Sequence, residues 1–381
     1  MRPPASPFLR AALAGQGIAL VLLLAWGFWQ GVCALARPVA QARIHRTLSL
    51  DAFLSGQTAA AVNHAMAQDL PVDRQLRAAG GVFRWMLFRS AGPQVRAGCD
   101  EWLYLTDELR PWPDAQAHQV ARVDALKRIA GRLASQGIQM LVAVVPDKAR
   151  VHARDLCGAP WSAQARARYG GFLQALETAG LPHLGLLPAL ETAGREAPAF
   201  YRTDTHWSQH GAAAAAWAIA PVVRRMGIEP AEAFRTSAEA EESHGPGDLL
   251  RLMSLDHVPD WLRPAPDRQR REITEPLQPA APGGGLLDDT PAPPVTLIGS
   301  SYSMNANFHG RLQQALGVTV ANFAQEGGGF FRAASDYFGG QAFRETPPRM
   351  VLWEIPERII GQPIGPAEQN FLDLWQTGAG H

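Results

Sequence analysis

The sequence predicts an α/β fold: a parallel sheet covered by helices on both faces. Three observations carry this. Short, almost wholly apolar runs (Gln139–Val145, Val295–Ile298, residues 350–354) read as strands buried on both sides. Stretches of helical length and amphipathic spacing alternate with them, the pattern of a parallel sheet built from strand-helix-strand units. Pro146 and Gly299 stop two of the runs abruptly, as turns at the carboxyl ends of strands require.

Taken in order, the chain opens with an apolar stretch, Ile18 to Leu35, preceded by Arg2 and Arg10. Ala34-Leu35-Ala36 offers a small-x-small cleavage site, but the run is long for a signal peptide and near membrane-spanning length. We expect an uncleaved anchor over residues 1–36; Arg37, Arg43 and Arg46 on the far side leave the positive-inside rule little to decide. Residues 37–96 read as a helical stalk, and the globular domain is expected over 97–381, opening with an alternating apolar strand around Cys99-Asp-Glu-Trp102-Leu-Tyr104-Leu. Helices are predicted over 115–136, 162–179 and 208–226, with strands at 139–145 and 181–187. Proline, glycine and charge then dominate residues 257–294, including Ala280-Ala-Pro-Gly-Gly-Gly285, and predict a long irregular surface insertion. Regular alternation resumes with strand 295–298, helix 308–316, strand 318–322, a glycine turn, a short helix and strand 350–354. No internal repeat and no carbohydrate-binding module after residue 361 is expected.

Composition limits the partners. Thirty-five basic and thirty-five acidic side chains give zero formal charge, which argues against a nucleic-acid partner. An exported body places the cysteines in an oxidising compartment. Cys33 lies in the apolar segment, so Cys99 and Cys157 are the pair available for a disulfide; two unrelated buried thiols are the alternative.

The chemistry concentrates in two segments. Tyr201-Arg-Thr-Asp204-Thr-His206-Trp207 sets a carboxylate and an imidazole two positions apart, on one side of an extended segment. Leu297-Ile-Gly299-Ser300-Ser301-Tyr302-Ser303 places serines just beyond a strand, at the sheet edge where ligands of open α/β sheets bind. A serine is inert at neutral pH without a base, and the base needs a carboxylate to fix its tautomer, so Ser301, His206 and Asp204 form a candidate nucleophile-base-orienter set. Taken alone, each has a plainer reading: an ordinary glycine-serine turn, and a capping aspartate beside a buried histidine. His206 and His210 are also spaced to share a zinc ion, with Asp204 as third ligand, but Trp207 stands where metalloprotease helices carry their glutamate. We expect no metal and no cofactor. The glycines of Asn322-Phe-Ala-Gln-Glu-Gly327-Gly328-Gly329 let backbone N–H groups approach a substrate oxygen, or form a flexible turn. Lys148, after Pro146-Asp147, either meets an anionic sugar or is a solvated surface lysine.

Together these segments resemble the SGNH-like domain of the alginate O-acetyltransferases and of related proteins that acetylate cellulose and other exopolysaccharides. The resemblance spans residues 97–361. It rests on Cys99-Asp-Glu-Trp-Leu-Tyr-Leu, Val144-Val-Pro-Asp-Lys148, Thr203-Asp-Thr-His-Trp207, Gly299-Ser-Ser-Tyr-Ser303, Asn322 to Gly329 and Val351-Leu-Trp-Glu-Ile-Pro-Glu-Arg358. It implies an SGNH-hydrolase-like, flavodoxin-like sheet whose motif order is circularly permuted, because the Asp-x-His block precedes the serine block. It also implies Ser301 as nucleophile, His206 as base, Asp204 as orienter, and the Ser301 and Gly327 amides as oxyanion donors. The strand expected to end in Gly-x-Asn reads Trp353-Glu354 instead, so an asparagine donor has no equivalent. The N-terminal segment is similar to that of the membrane-anchored branch of the family. That branch implies a periplasmic enzyme held in the inner membrane, a polysaccharide acceptor and an integral-membrane O-acyltransferase that supplies acetyl. Lys148, Tyr201 and Tyr302 are expected to line an open acceptor groove. An acetylesterase using water, and a silent polysaccharide-binding subunit, are the rival functions.

Overall fold

The computed structural model describes residues 7–68, 70–278 and 292–376. The chain forms two compact units that divide between Phe83 and Arg84. In the first, helix Pro7–Leu35 contains a 25-residue apolar stretch, Ala11–Leu35, long enough by length and composition to cross a membrane. Leu22, Leu23, Leu24, Phe28 and Trp29 on it are exposed within the protein. Helices Pro38–His45, Leu50–Leu54 and Gln57–Gln68 follow.

The second unit runs from Arg84. Val95–Ala97 is a strand that pairs antiparallel with Leu103–Leu105. Between them Cys99–Glu101 forms a 3-10 turn with Asp100 at φ 46°, so the expected strand starts only at Leu103. The central sheet holds five parallel strands: β1 (Gln139–Val145), β2 (His183–Gly185), β3 (Val295–Ile298), β4 (Val320–Asn322) and β5 (Met350–Pro356), in the spatial order β4-β3-β5-β1-β2. Among the described residues, helices α1 (Ala115–Ser135), α2 (Ala163–Thr178), α3 (Leu187–Glu196), α4 (Gln209–Arg225), α5 (Phe308–Leu316), α6 (Arg332–Gly339) and α7 (Pro366–Gln376) pack against it.

Alternation along the strands splits the core in two. Val142, Val144, Val351, Trp353 and Ile355 pack on one face against Leu126 and Ile129 of α1, Phe172 of α2 and Phe371 of α7. Leu141, Ala143, Val145, Leu297 and Leu352 face the other way, against Leu190 of α3, Ala215 and Ile219 of α4 and Leu312 of α5. Both layers are apolar because both faces are covered, which is why these strands read as unbroken apolar runs. β2 is shorter than its apolar run because Pro182 lacks an N–H to donate and α3 already starts at Leu187. β4 likewise starts at Val320, two residues late.

The insertion is less irregular than its composition predicts. Glu272–Pro276 pairs antiparallel with Phe234–Ala238, and Arg268–Gln269 with Ser243–His244. The partner strands lie before residue 257, so local composition gave no sign of the pairing. Ala280 to Gly285 lies outside the described residues.

Cys99 and Cys157 form a disulfide with a Cα separation of 5.5 Å, within the usual range. The link joins residues 58 positions apart. Replacing both cysteines by serine should therefore lower unfolding stability by about 4 kcal/mol, mostly through the looser unfolded chain. Denaturant titration measures this, and an unchanged midpoint would contradict it.

Candidate active site

The carboxyl ends of β1, β3 and β5 lie side by side, and their turns supply the polar side chains of the site. β3 runs into Gly299, where a side chain has no room: a Cβ there would sit 2.6 Å from Glu354 Oε2 and 2.7 Å from Ser303 Oγ. The chain then makes the 3-10 turn Ser301–Ser303, which leaves Ser301 half-buried at the edge.

The segment before α4 is not extended as expected: residues 202–206 bend, and the two ends of the segment pair with each other. Phe200 bridges Trp207, the Tyr201 N–H donates to the His206 carbonyl at 3.1 Å, and Ser208 caps α4 through the Gly211 N–H. The bend turns the Asp204 carboxylate back onto His206. Asp204 Oδ1 accepts from the His206 backbone N–H at 2.9 Å and lies 2.6 Å from Nδ1 of the same residue. Nε2 of that ring is 2.7 Å from Ser301 Oγ. Asp204, His206 and Ser301 therefore stand in one hydrogen-bonded line that can carry a proton from the hydroxyl to the imidazole, with the carboxylate fixing the ring.

Asp204 is 1% exposed. Burial alone would raise its pKa, but the hydrogen bond and charge of His206, with the amides of Asp248 and His206, bring it down to about 2. Its second oxygen accepts from the Asp248 N–H at 2.7 Å. Asp248 in turn accepts from the N–H and hydroxyl of Thr205.

Asp204, His206 and Asp248 have the composition of a metal site, with ligand atoms within 4.8 Å of one another. Their donor sets are already taken: both carboxylates accept N–H or O–H bonds, and His206 Nε2 faces Ser301. His210 does not join them; its Nε2 meets the Ala193 carbonyl at 3.1 Å.

The family model described as "SGNH hydrolase-like domain, acetyltransferase AlgX" matches residues 95–357. The chain belongs to this family. Among curated proteins, "Probable alginate O-acetylase AlgJ" of Pseudomonas aeruginosa is 33% identical over 320 residues, covering 81% of each chain. The protein of the same name from Pseudomonas putida is 32% identical over 328 residues, covering 85% of this chain and 84% of that one. Among solved structures, "O-Acetyltransferase Domain of Pseudomonas putida AlgJ" superposes with a TM-score of 0.65 at 30% identity. It covers 75% of this chain and 100% of that one.

Three expected binding residues of this AlgX-family domain are not placed as groove walls. Lys148 is fully buried, its ammonium donating to the carbonyls of Arg202 and Asp204 at 2.9 Å each. Burial lowers its pKa to about 8, against the pull of Glu108 and Asp267. Tyr302 is 1% exposed and donates to the Thr205 carbonyl at 2.8 Å, while Arg358 donates to its hydroxyl at 3.0 Å. Tyr201 is 5% exposed and hydrogen-bonds Gln269. Lys148 and Tyr302 brace residues 202–205 from inside, and Tyr201 ties that segment to Gln269, so each polar end has a protein partner. Gly327 is exposed with φ 64°, in the loop tied to the serine turn by Gln325 N–H donating to the Gly299 carbonyl at 3.1 Å.

Sequence reasoning missed two acids. Asp248 follows Gly247 in an unremarked loop. Glu354 registered only as a departure from Gly-x-Asn, yet it underlies the serine turn. Its Oε2 accepts from the Ser300 N–H at 2.8 Å, the Ser300 hydroxyl at 3.0 Å and the Ser303 hydroxyl at 3.0 Å. Burial pushes the Glu354 carboxyl up, opposed by these donors. An acid at the end of a strand that is otherwise all apolar was the signal. Glu354→Leu should leave three buried donors unpaired and cost at least about 2 kcal/mol, with loss of ester turnover, whereas Glu354→Gln should retain most of both. Thermal melts and turnover of a small acetyl ester test this; a Leu variant of wild-type stability would refute it.

Proposed function

We propose that this chain is a periplasmic, membrane-anchored O-acetyltransferase acting on hydroxyls of an anionic, alginate-like exopolysaccharide. The observation that carries the reading is the unbroken line Asp204–His206–Ser301, set at the carboxyl edge of a sheet belonging to the AlgX family. The names of the AlgJ relatives supply the acceptor class, and helix Ala11–Leu35 supplies the anchor.

His206 Nε2 takes the Ser301 proton as Oγ bonds to the acetyl carbonyl carbon, and Asp204 holds the imidazolium at Nδ1. Negative charge gathers on the carbonyl oxygen. Two backbone amides are suited to it. Ser301 opens a 3-10 turn in which the Ser300 hydroxyl takes the Tyr302 N–H, and the first amide of such a turn, that of Ser301, has no partner within the turn. Gly327 adopts a conformation that other residues rarely reach, in the loop bound to Gly299. The donor group leaves with the proton from His206. A sugar hydroxyl then gives its proton to the same nitrogen and attacks the acetyl-serine, regenerating Ser301. The donor is assigned to an integral-membrane O-acyltransferase that passes acetyl across the inner membrane.

Ser301→Ala should lower turnover of a small acetyl ester by roughly a thousandfold or more while the fold is retained. Loss of activity in Ser300→Ala or Ser303→Ala, with Ser301→Ala active, would move the nucleophile within the turn. With acetyl donor and alginate oligosaccharides, mass spectrometry should find acetylated sugar. Free acetate alone under every acceptor, with the membrane partner present, would assign the chain as an acetylesterase instead.

A further inference from the structure

His206 has a second acid on its Nδ1 side. Asp248 Oδ2 lies 3.7 Å from Nδ1, behind the 2.6 Å contact of Asp204. The two acids brace each other. The Asp248 backbone N–H satisfies Asp204, and the Asp248 side chain holds Thr205, the single residue between Asp204 and His206. Leu249 and Leu250, both buried, fix the short helix that Asp248 opens. Asp248 is therefore anchored independently of the segment it clamps.

We propose that Asp248 is a positioning residue for proton transfer at His206: it locks Thr205, and its carboxylate adds a second negative charge beside the imidazolium. This rests on the reading of Ser301 and His206 given above. The groups facing the ring are Asp204 and Asp248 on the Nδ1 side, the Thr205 hydroxyl at 3.5 Å, Ser301 on the Nε2 side and the Tyr302 ring edge-on at 5.1 Å. Two cations stand behind this layer within electrostatic reach of Asp248, Lys148 on backbone carbonyls and Arg358 on the Tyr302 hydroxyl, while the charged groups set against the ring nitrogen are the two carboxylates. Both near charges are thus negative.

The sign of the effect follows. A neighbouring carboxylate favours the protonated ring, so its removal moves the acid limb of the pH–rate profile to lower pH and lowers the plateau. Burial and the charge of Asp204 hold the Asp248 carboxyl above its ordinary value, whereas Asp204 is held at about 2. On acidification Asp248 is neutralised first. Its side chain is 24% exposed, which places the effect at the small end of the usual range for a charge at this distance, a shift of about one pH unit. One unit corresponds to roughly tenfold in rate when the imidazolium is fully formed in the transition state.

The test measures kcat/KM for p-nitrophenyl acetate against pH with the full chain in detergent, for wild type, Ser301→Ala, Asp248→Asn, Asp248→Glu and Thr205→Val. Asp248→Asn should lose about tenfold at the plateau and shift the acid limb down by about one unit. Thr205→Val keeps the charge, so its limb should stay within a few tenths of a unit of wild type, whatever its rate. An Asp248→Asn profile that matches wild type, or one lowered without any shift of the limb, overturns the charge role. If Asp248→Asn fails to fold, Asp248→Glu decides: a limb displaced although the carboxylate is retained also overturns it. A wild type no faster than Ser301→Ala would instead sink the nucleophile assignment, and with it this inference.

Discussion

The site depends on keeping Asp204 ionised while it is shut away from water. A carboxylate that is 1% exposed is tolerated only when its oxygens are fully occupied by donors. Asp204 gets them from three N–H groups: the imidazole and amide of His206, and the amide of Asp248. That requirement joins two segments that sequence separates by more than forty positions. It also fixes the imidazole plane, because one oxygen grips both the ring and the backbone of the same residue. Lys148 completes the frame from beneath through the Asp204 carbonyl.

The same rule governs the rest of the carboxyl edge. Asp147 pairs with Arg168 at 2.8 Å, and Glu357 accepts from Arg150 and from the Asp147 amide. Glu354 occupies the equivalent position under the serine turn. These groups are arranged so that each loop after β1, β3 and β5 is tied to a neighbour by a buried charge. Such ties contribute little net stability compared with an apolar core, yet removing one partner leaves an unpaired charge inside. The edge is consequently braced around Asp204, His206 and Ser301, and specific loop geometry is the return.

Much of this was legible in the sequence, for physical reasons. β1 matched its apolar run from Gln139 to Val145 because a strand buried on both faces needs unbroken apolarity. α1, α2, α4 and α5 followed from helical periodicity within a residue or two at each end. That Asp204 lies near His206 and that Ser301 follows a strand was readable from spacing, but the bend over residues 202–206 that brings the two side chains together was not. What escaped is whatever depends on the pairing of distant segments. Asp248 looks like any loop aspartate until its partner Thr205 is known. Lys148, Tyr201 and Tyr302 were expected along an open groove, and only the packed loops reveal the carbonyl oxygens that take their polar ends inside. The strands of the insertion were hidden because their partners lie upstream of it.

The Cys99–Cys157 link bears on where such a site can mature. It fastens the turn before Trp102 to Cys157, just past the 3-10 helix Ala153–Leu156 that follows Lys148 and His152, and there the approach is tight: a Cβ on Gly98 would lie 2.1 Å from the Asp155 carbonyl. Trp102 stacks on His152 at 4.3 Å, and the Lys148 ammonium lies over the Trp102 ring at 5.3 Å. The seating of the lysine that supports Asp204 is thus coupled to a bond that forms only under oxidising conditions. Material made in a reducing cytosol would carry every residue of the site and still lack its tether. Heterologous production for assays therefore calls for export or oxidative refolding, and an inactive cytosolic preparation would say more about its thiols than about its chemistry.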